Sequence, residues 1–265
     1  MPNVSAMTDK PAQNSDFVQS LERGLAVIRA FDAEHRELAL SEVARLTGLT
    51  RAAARRFLLT LVKLGYVNLS QGRFSLRPRV LELGYAYLSS LTLPEVALPH
   101  MEQLVAKVNE SCSISVLDDI DVVYVARVPT RRIMSITLAV GTRLPAFVTS
   151  MGRVLLAGLP DEELESYLAS AALKRFQPAT VTDSATLRDR VMRARADGYA
   201  IVDQELEEGL LAVAVPIHDR FGRTIAAINL STLVTRHTPK SVRSDLLPPL
   251  QRCAGMIERD LANVV

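Results

Sequence analysis

Residues 40–58 read LSEVARLTGLTRAAARRFL and place two short helical patterns on either side of one glycine. Gly48 suits a tight corner between helices because glycine tolerates a positive φ. Ser41 is predicted to cap the first helix and Thr50 the second, since short hydroxyl side chains accept hydrogen bonds from first-turn amides. The spacing therefore predicts a helix-turn-helix, whose first helix has one apolar face made of Leu40, Val43, Ala44 and Thr47.

The second helical pattern has two contrasting faces. One arc is apolar and is predicted to be buried, and its members are Ala53, Ala54, Phe57, Leu61 and Leu64. The opposite side is small and basic, which suits a helix lying in the major groove of DNA. An ordinary amphipathic helix with a solvated basic face has the same pattern. The residues predicted to contact DNA in and before this helix are Thr50, Arg51, Ala52, Arg55, Arg56 and Lys63.

The flanking residues favour the DNA-binding interpretation. Residues 65–70 and 73–76 alternate like two short strands, with Gln71-Gly72 as the turn between them. A hairpin directly after a recognition helix is a wing, and its Arg73 is predicted to reach the DNA backbone or minor groove. Upstream, residues 20–31 predict the first of three helices, whose inward face consists of Leu21, Leu25, Ile28 and Phe31.

Charge is divided unevenly along the 265 residues, and the length exceeds that of one typical domain. Residues 17–93 carry 11 Lys and Arg against 6 Asp and Glu, whereas residues 94–265 carry 19 against 21. Only the first part is suited electrostatically to nucleic acid. We therefore expect a flexible tail over 1–16, a winged helix-turn-helix domain over 17–78, a linker helix over 79–93 and a second domain over 94–265.

The number of cysteines and the lack of long apolar runs indicate the cellular compartment. Cys112 and Cys253 lack the spacing of metal ligands, and two thiols in a chain of this size favour a reducing compartment. Residues 1–16 lack the apolar core of a signal peptide, and no run approaches the roughly 20 apolar residues of a membrane helix. We expect a cytoplasmic protein with no metal site and no cofactor.

The predicted linker, residues 80–91, is unusually apolar for a connector. A single helix cannot hide all of its leucines and tyrosines on one face, so a second copy of the chain is predicted to cover them. A homodimer would also place two recognition helices on a palindromic operator. Packing of the linker onto its own second domain is the alternative, and a tetramer through the second domains stays open.

The second domain is predicted to combine strands and helices in an antiparallel α+β sheet architecture. A helix to Asn109 comes first, and a last helix covers about 239–262. Predicted strands cover 112–117, 122–128, 133–140, 199–206, 210–218 and 223–231, and predicted helices cover 150–158, 161–171 and 184–197.

From residue 17 to residue 261 the chain resembles the IclR family of transcriptional regulators. The resemblance rests on SLERGL at 20–25, the helix-turn-helix, LGY at 64–66, AIVDQELEEGL at 200–210 and AAINLS at 226–231. It implies a winged helix-turn-helix, a linker helix and a GAF-like effector-binding domain. RRFLLTL at 55–61, YAYLSSL at 85–91, VPTRRIM at 128–134 and TSMGR at 149–153 are similar to the PcaR/PcaU/PobR group, which regulates protocatechuate, 4-hydroxybenzoate and β-ketoadipate catabolism. This narrower resemblance implies a carboxylated aromatic acid, or a carboxylate derived from one, as the effector.

An effector site is expected where an irregular loop over 141–149 enters a helix near Ser150. Free amides at a helix N-terminus can hold a carboxylate, and a simple cap by Thr149 or Ser150 is the alternative. The family resemblance implies that acids dock here, on Ser150, Met151 and Gly152.

The resemblance also implies that the opposite wall comes from the region 203–212 and from the strand that carries Asn229 and Ser231. Asp203, Glu205, Asn229 and Ser231 could bond polar groups of a ligand, and Leu211 and Ala212 could form an apolar wall. A solvated acidic turn is the alternative for residues 203–208. Many relatives have arginine where this chain has Leu211, so any contact of that arginine is absent here.

Other function classes find less support in the sequence. The four histidines lie far apart, and no nucleophile elbow, P-loop or dinucleotide fingerprint appears, so an enzyme acting on a small acid is disfavoured. An architectural DNA-binding protein would leave the second domain without a purpose. The sequence predicts an allosteric regulator in which acid binding changes the placement of two winged domains on DNA, and a regulator of a different small-acid pathway is the closest alternative.

Overall fold

The structure, a computed structural model, describes residues 17–88, 92–130 and 138–263. The chain divides into two compact units, the first ending at Tyr87 and the second beginning at Leu88. This division falls inside the segment 79–93 for which the sequence predicts a linker. Each unit has its own buried core.

In its described residues the amino-terminal unit has four helices and a small antiparallel sheet with the strand order β1-β3-β2. Pro78–Val80 form a 3₁₀ turn that leads into the last helix. The elements are α1 (Gln19–Arg29), β1 (Leu38–Ala39), α2 (Leu40–Thr47), α3 (Arg51–Leu64), β2 (Val67–Ser70), β3 (Arg73–Leu76) and α4 (Leu81–Leu88).

The corner between α2 and α3 forms as the sequence predicts, but the cap of α2 differs. Gly48 adopts a φ of +67°, and the Thr50 hydroxyl accepts a hydrogen bond of 3.2 Å from the Ala53 amide. Ser41 does not cap α2, and this prediction was wrong. Because β1 runs directly into α2, Ala39 precedes the helix, and its amide donates instead to the Glu42 carboxylate at 2.6 Å.

The buried faces of α1 and α3 are rotated from those predicted. In α3, Leu58 is fully buried, whereas Leu64 lies in the last turn beyond the packed region and is 50% exposed. In α1, Val27 is fully buried, and Leu21 and Leu25 are exposed although the sequence predicted them to point inward. Helix α1 has apolar residues on two sides, and it packs on α2 and α3 through the side that carries Val27.

The carboxy-terminal unit is built on one six-stranded sheet whose neighbouring strands are all antiparallel. A π-helical turn, Val242–Leu246, precedes the last helix. The elements are α5 (Thr92–Val108), β4 (Ser111–Asp118), β5 (Asp121–Val128), β6 (Arg143–Pro145), α6 (Ser150–Ala157), α7 (Asp161–Ser170), α8 (Ser184–Asp197), β7 (Ala200–Asp203), β8 (Leu210–His218), β9 (Thr224–Leu233), α9 (Pro239–Ser241) and α10 (Leu247–Ala262).

Each face of this sheet has its own core, since alternate residues of a strand point to opposite faces. Helices α5 and α10 cover one face, and α6, α7 and α8 pack with the residues of the other. The strand order is β6-β5-β4-β9-β8-β7, so β7 lies at one edge. The antiparallel α+β prediction is confirmed.

The structure departs from the prediction at two strands of this unit and adds one strand that was not predicted. Most of the strand predicted over 133–140 lies outside the described residues, and residues 138–140 are not a strand. A short strand that the sequence did not predict, β6, follows at Arg143–Pro145. Strand β7 ends at Asp203, three residues before the predicted end, because Gln204 has a φ of +55° and turns the chain.

Replacing Leu58 by Ala should destabilise the amino-terminal unit by about 2–5 kcal/mol, because it removes a fully buried side chain and leaves a cavity. Leu64→Ala is the matched control on the same helix and should change the unfolding free energy by no more than about 0.5 kcal/mol. Denaturant unfolding followed by circular dichroism measures both. Equal losses in the two variants would contradict the observed orientation of α3.

Candidate effector pocket and nucleic-acid interface

The outer side of α3 is a basic surface. Thr50, Arg51, Ala52, Arg55, Arg56 and Lys63, which the sequence predicts to contact DNA, are all exposed. Within the described ranges, no carboxylate lies at ion-pair distance from any of the four basic side chains. Their charges are therefore available to phosphates or to guanine edges.

Arg73 is placed differently from the other predicted DNA contacts. Its Nη2 atom donates a 2.8 Å hydrogen bond to the Glu37 carbonyl and lies 3.5 Å from the Glu42 carboxylate. Glu42 also accepts from the Ala39 amide at the start of α2, so Arg73 joins the hairpin to that end of the helix. The side chain is about half exposed.

Packing of α1 against α3 places one further basic residue beside the basic surface of α3, and the sequence analysis did not predict it. Arg23 of α1 and Arg56 of α3 line the same surface groove, together with Ser20 and Thr60. The two arginines are 33 positions apart in the sequence. No local pattern relates such distant positions, so only the helix packing reveals that they are neighbours.

In the carboxy-terminal unit a pocket of about 530 Å³, partly open to solvent, lies where α6 begins. It contains six of the nine residues that the sequence proposes for effector binding. These six are Ser150, Met151, Glu205, Ala212, Asn229 and Ser231.

The other three proposed effector residues do not line this pocket. Asp203 and Leu211 are direct partners across β7 and β8, and Leu211 lies in the core beneath α5 and α10. Their neighbours Val202 and Ala212 form the adjacent cross-strand pair and face the pocket. Gly152 lies against the chain before α6, where an added Cβ would lie 2.0 Å from the Ala146 carbonyl oxygen.

Much of the pocket wall comes from residues that the sequence analysis did not name individually as effector contacts. Most are apolar and lie on β6, on β7, in the turn before α6 or in the loop that leads into β8. The period of two along each strand could have selected some of them, but not the correct face. They are Tyr124, Leu138, Leu144, Val148, Thr149, Val202, Leu206, Glu207 and Leu210.

Helix α6 presents its N-terminus to the pocket. The Thr149 hydroxyl accepts a 3.0 Å hydrogen bond from the Gly152 amide and caps the helix. The amides of Ser150 and Met151 belong to the first turn and have no acceptor within the helix itself. Such amides, with the helix dipole behind them, favour an anion.

Three polar atoms of pocket-lining residues are buried without a hydrogen-bond partner in the described part of the chain. They are the Ser150 hydroxyl, the Asn229 carbonyl oxygen and one Glu207 carboxylate oxygen. The Asn229 amide nitrogen donates to the Ser231 hydroxyl at 3.1 Å, which orients its oxygen. Because buried polar atoms are nearly always paired, these atoms are suited to a polar ligand.

Two further groups determine the electrostatics of the pocket. Burial raises the pKa of the Tyr124 phenol to about 12, so this hydroxyl stays neutral and can donate a hydrogen bond at physiological pH. Glu205 is buried and its Oε2 accepts a 2.6 Å hydrogen bond from Arg153 Nη2, which neutralises its charge. Arg153 itself is 3% exposed.

Two family models match the chain and together cover most of it. Residues 20–69 match the IclR helix-turn-helix domain, and residues 85–259 match the bacterial transcriptional regulator IclR C-terminal domain. The chain belongs to the IclR family of transcriptional regulators. In this IclR-family protein the amino-terminal unit therefore carries the DNA-binding helix-turn-helix, and the second unit is the effector-binding domain.

Individual relatives agree with this assignment. The chain is 43% identical to the Pca regulon regulatory protein of Pseudomonas putida over 93% of this chain and 84% of that one. It is 37% identical to the p-hydroxybenzoate hydroxylase transcriptional activator of Acinetobacter baylyi over 96% and 94%. An IclR homologue from Microbacterium hydrocarbonoxydans, solved with 4-hydroxybenzoate, is 30% identical with a TM-score of 0.80 and coverages of 91% and 98%.

Neither metal binding nor membrane spanning finds support in the described ranges of this IclR-family chain. No group of three or more His, Cys, Asp or Glu side chains is placed to hold a metal ion. None of the described helices has the length and apolar character required to cross a membrane.

Replacing Glu205 by Ala should lower the unfolding free energy by about 3–5 kcal/mol, because the Arg153 cation would stay buried without its counter-ion. Glu102→Ala, on the exposed side of α5, is the control and should cost about 0.5 kcal/mol or less. Denaturant unfolding of the full chain measures both. A Glu205→Ala variant as stable as the control would show that the ion pair does not stabilise the domain.

Proposed function

We propose that this regulator controls genes for the catabolism of aromatic acids, in the protocatechuate, 4-hydroxybenzoate or β-ketoadipate pathway, in response to a carboxylate effector. The relatives with the highest identities reported above regulate pca and p-hydroxybenzoate hydroxylase genes. The observation that carries the proposal is the Ser150 hydroxyl, buried and unpartnered at the N-terminus of α6. A carboxylate placed there would satisfy this hydroxyl and the first-turn amides together.

The proposed aromatic acid would lie in the pocket in one orientation. The carboxylate would accept hydrogen bonds from the Ser150 and Met151 amides and from a neutral Tyr124 hydroxyl. The aromatic ring would pack against apolar walls that include Leu144 and Leu210. Ring hydroxyls would then reach the Asn229 carbonyl oxygen, which otherwise lacks a donor.

DNA recognition is assigned to α3 and the hairpin that follows it. Arg55 and Arg56 would reach base edges or phosphates, and Ala52 permits close approach of the helix to the groove. Thr50, Arg51 and Lys63 would complete the contact. Since Arg73 is held by Glu37 and Glu42, its contribution would be to position the wing as well as to add positive charge.

The proposal of a homodimer on a palindromic operator is supported by exposed apolar side chains of the amino-terminal unit. Leu21 and Leu25 lie one turn apart on α1 and are 63% and 44% exposed, and Phe17 just before the helix is exposed too. Leu81 and Leu83 of α4 are likewise exposed. A second copy would remove this surface from water and would bring two recognition helices to the two operator half-sites.

Regulation would be allosteric and would proceed in the cytoplasm without turnover of the acid. The effector would favour one arrangement of the paired winged domains, and by linkage operator DNA would change effector affinity to the same extent. Heating the protein with candidate acids separates a sensor from an enzyme, since a sensor shows a thermal shift and no consumption of the acid.

Arg56→Ala should weaken operator binding about tenfold and reduce its salt dependence by about one phosphate contact, because Arg56 lies on the groove-facing side of α3. The operator can be selected from a random duplex pool with the wild-type protein. Arg29→Ala, exposed on α1, is the matched control and should bind DNA as the wild type does. Fluorescence anisotropy at several salt concentrations measures both, and unchanged binding by Arg56→Ala would remove this residue from the interface.

Ser150→Ala and Asn229→Ala should each weaken 4-hydroxybenzoate binding about tenfold, because each removes a buried partner of the acid. Ser170→Ala, at the end of α7 and away from the pocket, should leave affinity unchanged. Calorimetric titration with 4-hydroxybenzoate, protocatechuate and β-ketoadipate in parallel also identifies the preferred acid. Wild-type affinity in both pocket variants would contradict this site.

A further inference from the structure

A second cavity lies along the edge strand β7, outside the effector pocket. Its volume is about 740 Å³, and helix α8, strand β7 and the α9 region with its π turn contribute to its wall. We call it the β7 groove. The charged side chains that line it are Arg153, Arg190, Arg193, Arg243, Asp197 and Asp203, so arginine exceeds aspartate by four to two.

Two of these arginines repel each other across one helical turn. Arg190 and Arg193 are separated by three positions on α8, both are exposed, and both line the groove. In the described part of the chain no carboxylate lies at ion-pair distance from either side chain. Like charges at this spacing destabilise a helix slightly, and an anion bound between them would remove that cost.

Arg243 is held in a fixed orientation on the other side of the groove. Its Nε donates a 2.8 Å hydrogen bond to the Tyr199 hydroxyl, and its guanidinium lies 5.8 Å from the centre of the Tyr199 ring. Arg243 belongs to the π turn Val242–Leu246, and such turns occur frequently at functional sites. With Nε engaged, the two Nη groups are oriented for a planar or tetrahedral anion.

Arg153 connects the β7 groove to the effector pocket. It is 3% exposed, it lines the groove, and its Nη2 donates to Glu205, which lines the pocket. Its Nε is buried and has no hydrogen-bond partner among the described residues. A buried guanidinium with an unused donor points to a ligand acceptor that the protein itself does not supply.

We propose that the β7 groove binds a small polyanion, a phosphorylated or polycarboxylated metabolite, through Arg190, Arg193 and Arg243, with Arg153 at its inner wall. An anion that accepts from the unused Arg153 Nε shares this cation with Glu205. Glu205 then faces the effector pocket with less of its charge neutralised, which disfavours the acid effector there. The groove is thus a second regulatory site whose occupancy lowers affinity at the first.

Calorimetry on the full chain at constant ionic strength tests this with two separate probes, inorganic phosphate and tricarballylate. The wild type should bind at least one of them, and their comparison shows whether phosphoryl or carboxylate groups are preferred. Arg193→Gln should weaken the binding about tenfold, since one charge-assisted contact is lost. Arg252→Gln, exposed on α10 and away from the groove, should bind as the wild type does.

The coupling is measured by titrating 4-hydroxybenzoate with and without the polyanion that binds. A saturating polyanion should weaken 4-hydroxybenzoate binding in the wild type and in Arg252→Gln, but not in Arg193→Gln. This coupling step rests on the effector pocket proposed above, whereas polyanion binding is measured without any aromatic acid. Failure of 4-hydroxybenzoate, protocatechuate and β-ketoadipate all to bind therefore contradicts the proposed function, and not the groove.

Three outcomes would overturn the proposal. The first is that neither probe binds the wild type at millimolar concentration, which would leave the arginines with the role of blocking edge-to-edge strand pairing. The second is equal polyanion affinity in Arg193→Gln and Arg252→Gln. The third is a lower oligomeric state of Arg193→Gln by light scattering, which would make the groove a contact between copies of this chain.

Discussion

The carboxy-terminal unit depends on a close contact between Gly152 in the first turn of α6 and the chain before it. Any side chain at position 152 would collide with the Ala146 carbonyl oxygen, since even a Cβ would lie 2.0 Å away. The contact holds the start of α6 against the turn Ala146–Val148, between the cap residue Thr149 and the buried Arg153. The helix N-terminus, the polar atoms in front of it and the ion pair behind it all follow from this approach.

Short sequence patterns correctly predicted the features that depend only on neighbouring residues. The turn at Gly48, the cap at Thr50 and the existence of the long strands β8 and β9 depend on neighbouring residues, and all three appear in the structure. Ser41 was mistaken for a cap because β1 leads straight into α2 and leaves Ala39 in the position before the helix. The position of Ala39 depends on the pairing of β1 with the hairpin strand β3, which lies more than 30 residues away in the sequence.

Which face of a helix or strand points to the core was harder to predict than whether the element exists. Helix α1 has apolar residues on two sides, and only its packing on α3 shows that Val27 is buried and Leu21 is not. In the effector domain, the region 203–212 was correctly placed near the pocket, but Asp203 and Leu211 point to the other face of the sheet. With a period of two, a displacement of one residue exchanges the two faces, so Val202 and Ala212 line the pocket instead.

The Arg73 contacts have a consequence for how the protein meets DNA. Since Arg73 links the hairpin to Glu37 and to the first turn of α2, the wing cannot swing independently of the helix-turn-helix. Much of the conformational entropy of the hairpin is therefore already lost when the unit folds, and little is left to lose on docking. On the proposed DNA interface the wing would then act as a rigid gauge of groove width, and a duplex of the wrong local shape would be rejected by steric misfit, without any direct reading of its bases.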